Sequence, residues 1–248
     1  MSFGVVEGSD DGGLTVAEIE GHPFGQIKFT GERWALPDVR LLSPILPSKV
    51  VCVGRNYADH AKELGNEVPA EPLLFLKPST SVIGHRDVVR LPPQSKRVEH
   101  EAELAVIIGA PGARRIDRAD AAKSIFGYTC ANDVTARDLQ RADVQFTRAK
   151  GFDSFCPLGP WIVTDFDPSD VEVRCEVNEE VRQLGRTKDM IFDVPTLVSY
   201  VSHVMTLLPG DVVLTGTPAG VSPIVTGDTV TVRIEGLGDL ANPVADLD

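Results

Sequence analysis

With 248 residues, 42% of them apolar, the chain can bury a sizeable core as one domain, or one domain with a small appendage. A formal net charge of −12 argues against a nucleic-acid backbone or an anionic membrane as partner. The longest apolar runs, such as Leu104–Ile108, are too short to cross a bilayer.

The opening Met1-Ser2-Phe3-Gly4 leads into acidic, Gly-rich sequence without the basic-then-apolar order of a secretory signal, so a cytoplasmic location is expected. Residues 1–46 hold short β-like pieces, Leu14–Ile19 and Gln26–Thr30, and are expected to form a small N-terminal β domain. Prolines in Leu42–Pro47 mark a linker, because each restricts the residue before it. The remainder, 47–248, is expected to form the main body.

There Val50–Val53 and Leu73–Leu76 read as strands, and Ala58–Leu64 as a short helix stopped by Gly65. Glu99–Ile108 starts polar and ends apolar, as a strand running from a pocket rim into a core. Asp117 is placed to cap a helix reaching about Ser124. Ile125–Ala131 is strand-like and Val134–Arg141 has helical character. Further strands fit Trp161–Thr164, Val171–Val177, Asp211–Thr215 and Thr229–Ile234, with one good helix over Pro195–Leu207. Many strands, few helices and 22 glycines give a mixed α+β, β-rich fold. The cysteines, Cys52, Cys130, Cys156 and Cys175, form no CxxC pair and read as reduced, mostly buried thiols.

Glu101-Ala102-Glu103 carries the first chemical signal. On a strand, side chains two apart share a face, so two carboxylates would converge and call for a proton or a cation between them. Read alone, the pair serves equally as a solvated strand end. Asp133, at the end of another strand, tilts the reading towards a metal site. Three carboxylates select a hard cation, Mg²⁺ or Mn²⁺, with Ca²⁺ also compatible. His100 would face away from both glutamates.

His60 and Glu63 are i, i+3 on a helical turn, where a carboxylate can orient an imidazole as a general base. Taken alone, they read more simply as an exposed helix pair. Arg137 and Gln140 share a helix face after Asp133, and Lys150 lies beside Gly151; the plain reading of such groups is surface charge. Thr215-Gly216-Thr217-Pro218 follows an apolar strand and suits an anion, although as a lone motif it reads more simply as a plain loop. A bound cation plus local Arg and Lys would reconcile an anionic substrate with an acidic chain.

Six stretches in order resemble the fumarylacetoacetate hydrolase (FAH) family: Gly54-Arg55-Asn56-Tyr57-Ala58-Asp59-His60, Leu74-Phe75-Leu76-Lys77-Pro78-Ser79, His100-Glu101-Ala102-Glu103-Leu104, Asn132-Asp133-Val134-Thr135-Ala136-Arg137-Asp138, Ala149-Lys150-Gly151-Phe152-Asp153 and Thr215-Gly216-Thr217-Pro218. They cover roughly residues 50 to 244, and 1–46 match only loosely, like the small N-terminal domain that bacterial members often carry.

The resemblance implies an FAH-type β-roll core, a homodimer, and Mg²⁺ or Mn²⁺ held by Glu101, Glu103 and Asp133. It implies that His60 and Glu63 act from a lid segment. Arg137, Gln140 and Lys150 would contact the substrate's oxo acid and its oxyanion, and Thr217 its carboxylate end, Lys150 serving catalysis. The expected substrate is a small 2-oxo or 2,4-dioxo acid, and the expected reaction is C–C bond hydrolysis or decarboxylation through a metal-stabilised enolate. Isomerisation of 2-hydroxyhepta-2,4-diene-1,7-dioate or 5-carboxymethyl-2-hydroxymuconate in aromatic catabolism is the alternative. A non-catalytic oxo-acid-binding homologue is the rival from outside enzymology.

Overall fold

The computed structural model describes residues 1–9 and 12–247. The chain divides into two compact units, Met1–Leu41 and Leu42–Asp248. The first is an antiparallel sheet of β1 (Phe3–Ser9), β2 (Gly13–Ile19) and β3 (Phe29–Ala35), in the order β1-β2-β3. The strand expected over Gln26–Thr30 lies further on. Gln26–Lys28 belong to the connection, where the Glu20 N–H donates to the Lys28 carbonyl at 2.8 Å. β3, Phe-Thr-Gly-Glu-Arg-Trp-Ala, is exposed along its whole length, so no apolar alternation advertised it.

The second unit is built on a seven-stranded sheet. Its strands are β4 (Val50–Gly54), β5 (Leu73–Lys77), β6 (Val82–Ile83), β9 (Ala102–Ile108), β10 (Ile125–Asn132), β12 (Cys156–Val163) and β15 (Val212–Leu214). Their spatial order is β5-β4-β15-β9-β10-β12-β6. A five-stranded sheet combines β7 (Val89–Leu91), β13 (Glu172–Val177), β14 (Glu180–Arg186), β16 (Thr229–Ile234) and β17 (Gly238–Asp246), in the order β14-β13-β16-β17-β7. A short ladder joins β8 (Val98–Glu99) to β11 (Thr135–Ala136). The fold is β-rich α+β, as expected.

One core cluster runs between the two large sheets and includes Leu104, Val106, Cys130, Val173, Cys175, Val232 and Leu240. β9 is buried at all seven positions, which is why, Glu103 apart, it reads as an apolar run. β13 and β16 bury only alternate residues and show the period of two. β14 and β17 escaped the sequence reading. β14 buries only Gln183 and is otherwise polar or exposed, and β17 contains Asn242-Pro243, which weakens any strand signal.

Four helices complete the unit: α1 (Ala58–Glu63), α2 (Arg137–Ala142), α3 (Thr147–Lys150) and α4 (Val194–Val204). α4 is specified locally. Asp193 caps it by accepting from the Thr196 N–H at 3.0 Å, and Pro195 occupies its first turn. Val194, Leu197, Val198 and Val201 then form one buried stripe, with each fully buried Leu or Val contributing about 1.5 to 3 kcal/mol. The helix expected after Asp117 is instead a 3₁₀ segment over Arg118–Ser124, and Asp117 makes no capping bond. Two residues of the helix expected from Val134 are drawn into the β8–β11 ladder, so α2 starts at Arg137. No helix among the described residues is long and apolar enough to cross a membrane.

Candidate active site

The register of β9 against β10 brings the carboxylates together. Ala102 pairs with Asn132 and Glu103 with Ala131, so the next antiparallel partners are Glu101 and Asp133. The Asp133 N–H donates to the Glu101 carbonyl at 2.8 Å, and the Glu101 N–H donates to Asn132 Oδ1 at 2.9 Å. The strand expected to run unbroken from Glu99 to Ile108 is interrupted at His100–Glu101, where the chain leaves the ladder with β11 and joins β10. Glu101 and Glu103 still reach one cavity. His100 points elsewhere, its ring bonded to Gln183 Oε1 and Ser222 Oγ at 2.9 Å each.

One oxygen from each of Glu101, Glu103 and Asp133 lies within 4.8 Å of the others, all three residues being buried. Hard divalent cations hold oxygen ligands at about 2.0 to 2.6 Å, so oxygens up to about 4 to 5 Å apart can share one ion. The donor set therefore fits Mg²⁺ or Mn²⁺, and Ca²⁺ by the same measure.

Charge bookkeeping points the same way. Glu99, Glu101, Glu103 and Asp133 are buried with only Lys77, Arg137 and Lys150. Lys150 Nζ donates to Glu101 Oε2 at 2.7 Å and Asp133 Oδ2 at 2.6 Å, and lies 5.0 Å from the Phe75 ring centre. Arg137 Nε donates to Glu99 Oε2 at 2.6 Å, while its Nη2 binds Glu101 Oε1. Lys77 Nζ donates to Asp133 Oδ1 at 2.6 Å and the Val134 carbonyl at 3.2 Å. Glu103 is the acid left over. Its Oε2 accepts the Gly216 N–H at 2.7 Å, and among the described residues it has no ion-pair partner.

The titration behaviour follows from this pairing. Burial raises the Glu103 carboxyl well above its usual value, and the Asp133 and Glu101 charges raise it further. Burial alone would do the same to Glu101, but Lys150 and Arg137 outweigh it and hold that carboxyl well below the carboxylate range. Burial opposes the charge on Lys150, yet Asp133 and Glu101 raise its pKa.

α1 supplies the other wall. His60 Nδ1 lies 3.3 Å from Glu63 Oε2, and Glu63 accepts the Gly220 N–H at 3.1 and 3.2 Å. Gly220 has a φ of 103° and faces the Arg182 carbonyl so closely that no Cβ would fit. Because a carboxylate only accepts, Nδ1 carries the proton in this pair and Nε2 is left as the base. Burial lowers the His60 pKa below its ordinary value; the Glu101 charge and the Glu63 bond oppose this without cancelling it. The ring is therefore neutral near neutral pH.

A cavity of about 210 Å³ is lined by His60, Glu101, Glu103, Asp133, Arg137, Gln140, Lys150 and Thr217, while Glu63 braces His60 from behind. Gln140 Oε1 accepts from Arg137 Nη1, which leaves its amide hydrogens for a ligand. The Thr217 hydroxyl is already used: it donates to the Ala102 carbonyl and accepts from Gln183 Nε2, each at 2.7 Å.

Sequence reasoning assigned no role to Lys77, Glu99, Asn56 or Gln183. Lys77 was recoverable: it follows Phe75 by two on β5, and a lysine ending Leu-Leu-Phe-Leu-Lys shares a face with that ring. Lys77→Met is expected to destabilise the protein by about 3 to 5 kcal/mol, because Asp133 loses a buried counter-ion. A lowered urea midpoint at unchanged slope would show it, and Lys77→Arg should recover part of the loss.

Comparison with known proteins supplies the family. Residues 49–245 match the family model described as fumarylacetoacetate (FAA) hydrolase C-terminal, and residues 1–44 match the one described as Rv2993c-like, N-terminal. Protein Rv2993c of Mycobacterium tuberculosis is 55% identical, over 98% of this chain and 94% of that one. The mitochondrial oxaloacetate tautomerase FAHD2A of Homo sapiens is 46% identical, over 84% of this chain and 70% of its own length. The crystal structure of 5-carboxymethyl-2-hydroxymuconate delta-isomerase from Mycobacterium smegmatis superposes with a TM-score of 0.92 at 53% identity, covering 99% of this chain and 95% of that one. By the family match over most of its length and the kinship of these relatives, the chain belongs to the fumarylacetoacetate hydrolase family.

Proposed function

We propose that the protein is a Mg²⁺- or Mn²⁺-dependent enzyme of small 2-oxo or 2,4-dioxo acids, and that it breaks a C–C bond beside the oxo group by hydrolysis or decarboxylation. The observation that carries this reading is a neutral, carboxylate-oriented imidazole on the wall of the cavity that the three carboxylates share. When bound, the cation would supply Lewis-acid stabilisation of the negative charge that develops on the oxo acid. His60 Nε2 takes a proton from the attacking water, and Glu63 holds the ring and supports its charged form. Lys150, Arg137 and the Gln140 amide bind and orient the acid and offset charge on its oxygens. Thr217 meets the carboxylate end once its hydroxyl turns from Ala102.

The names of the human tautomerase and the mycobacterial isomerase favour a second reading, enol–keto isomerisation of a 2-oxo acid or of a 2-hydroxydiene-dioate of aromatic catabolism. It asks His60 to move a proton at carbon and breaks no C–C bond. Of the two cleavage reactions, hydrolysis uses His60 as a base on water, whereas decarboxylation draws on the cation and Lys150 with the dyad assisting.

The deciding experiment follows pyruvate release from an acylpyruvate and from oxaloacetate, beside the ultraviolet loss of a dienol. Pyruvate formation supports cleavage; dienol loss without pyruvate supports isomerisation. Turnover of neither, despite binding of oxalate and Mn²⁺, would make the chain a non-catalytic oxo-acid-binding homologue. A homodimer acting in the cytoplasm belongs to the same proposal, and a monomeric mass by light scattering would count against it.

A further inference from the structure

Arg55 has a backbone that a cationic side chain has no local reason to adopt. Its φ is 59°, in the left-handed region, which costs an L-residue about 1 to 2 kcal/mol and glycine nothing. The next residue holds it there. Asn56 Nδ2 donates to the carbonyls of Thr215 at 2.7 Å and Phe192 at 3.0 Å, and Oδ1 accepts the Phe192 N–H at 2.8 Å. The Asn56 carbonyl accepts the Ile191 N–H, also at 2.8 Å. Strain kept in place by so many bonds is characteristic of functional sites.

The second observation concerns charge. Arg55 is half-buried and lines the cavity, yet among the described residues its side chain makes no hydrogen bond or ion pair. Arg137 and Lys150 spend their charges on Glu99, Glu101 and Asp133. Arg141, on α2, also lines the cavity without a partner but is exposed, so water screens it more. Arg55 is the shielded cation left for an anionic ligand.

We propose that Arg55 recognises the second carboxylate of a dicarboxylic substrate, so that the site selects 2-oxo diacids over 2-oxo monoacids. The inference rests on the oxo-acid reading above. A planar guanidinium suits the task, since it offers two parallel donors to one carboxylate.

The test uses oxaloacetate and its 4-methyl ester, a monoanion that lacks the second carboxylate, with Mn²⁺-loaded wild type, Arg55→Met and Arg55→Gly. The wild-type preference for the diacid, read as a ratio of calorimetric affinities because the ester has no C4 carboxylate to lose as CO2, should fall about 10- to 100-fold in both variants. Arg55→Gly relieves the backbone, so its Tm should equal or exceed that of the wild type; this keeps the test sound if Arg55→Met folds poorly. Oxalate, which ends at the cation-binding oxygens, should bind all three proteins alike. An unchanged preference in Arg55→Gly, an equal loss for diacid and ester, or a loss in Arg141→Met instead would overturn the proposal. Wild type that binds the diacid selectively without turnover would refute the enzymatic reading and leave Arg55 judged by affinity alone.

Discussion

Glu103→Gln is expected to lower turnover by about 10³-fold or more, the worth of several kcal/mol of Lewis-acid stabilisation, while leaving the cation-free protein no less stable than wild type. The two effects separate because Glu103 is the buried acid that lacks a cationic partner. Its carboxyl is raised by burial, with Asp133 and Glu101 adding to the rise. A group whose folded pKa exceeds its unfolded one stabilises fully below the unfolded value, here about 4.5, and loses that contribution as pH climbs towards the folded value. Cation-free wild type should therefore gain stability from this group on acidification from neutral pH towards 5. Added Mn²⁺ should raise Tm at neutral pH by binding the folded state alone. Glu103→Gln should lack both responses. Thermal melts at two pH values with and without Mn²⁺ read them, and Mn²⁺ binding at wild-type strength would remove Glu103 from the ligand set.

His60→Ala is expected to cost about 10² to 10⁴ in kcat/KM, the usual worth of a positioned base, with Mn²⁺ affinity unchanged. The pH profile should carry the same signature. Burial places the His60 pKa below 6.5, and the base works unprotonated, so activity should be level above that value and fall on the acid side. Glu63→Gln replaces a charged acceptor, whose bond raises this pKa, with a neutral one, so the acid limb should move to lower pH. Should His60→Ala retain turnover that chelation abolishes, the reaction needs no base, and simple decarboxylation becomes the better account.

Much of the second unit was readable residue by residue. The apolar run Leu104–Ile108 in β9, the alternation in β13 and β16, and the Asp193 cap and buried stripe of α4 are local signals that burial then amplified. Where the reading slipped, a local pattern was missing or was overridden. β3 and β14 are mostly exposed, and the β8–β11 ladder took the residues before Arg137 out of a helix that their sequence allowed.

The sequence by itself determined which residues could do chemistry: three carboxylates, an imidazole with a carboxylate one turn away, and a group of cations in a recognisable order. Side-chain type and a spacing of two or three residues are sufficient for that, since strand and helix periods are local. Only the tertiary structure decided how these charges are shared. Asp133 meets Lys77 and Lys150, Arg137 bridges Glu99 and Glu101, and Glu103 is left without a cation. Those pairings join residues 17 to 56 positions apart, through strand register and burial. In a low-dielectric interior such distances of 2.5 to 3 Å, rather than the list of residues, set which group stays charged and where a cation is wanted. The three carboxylates could be named from the sequence, and the unbalanced charge that makes them a site for a cation is a property of the fold.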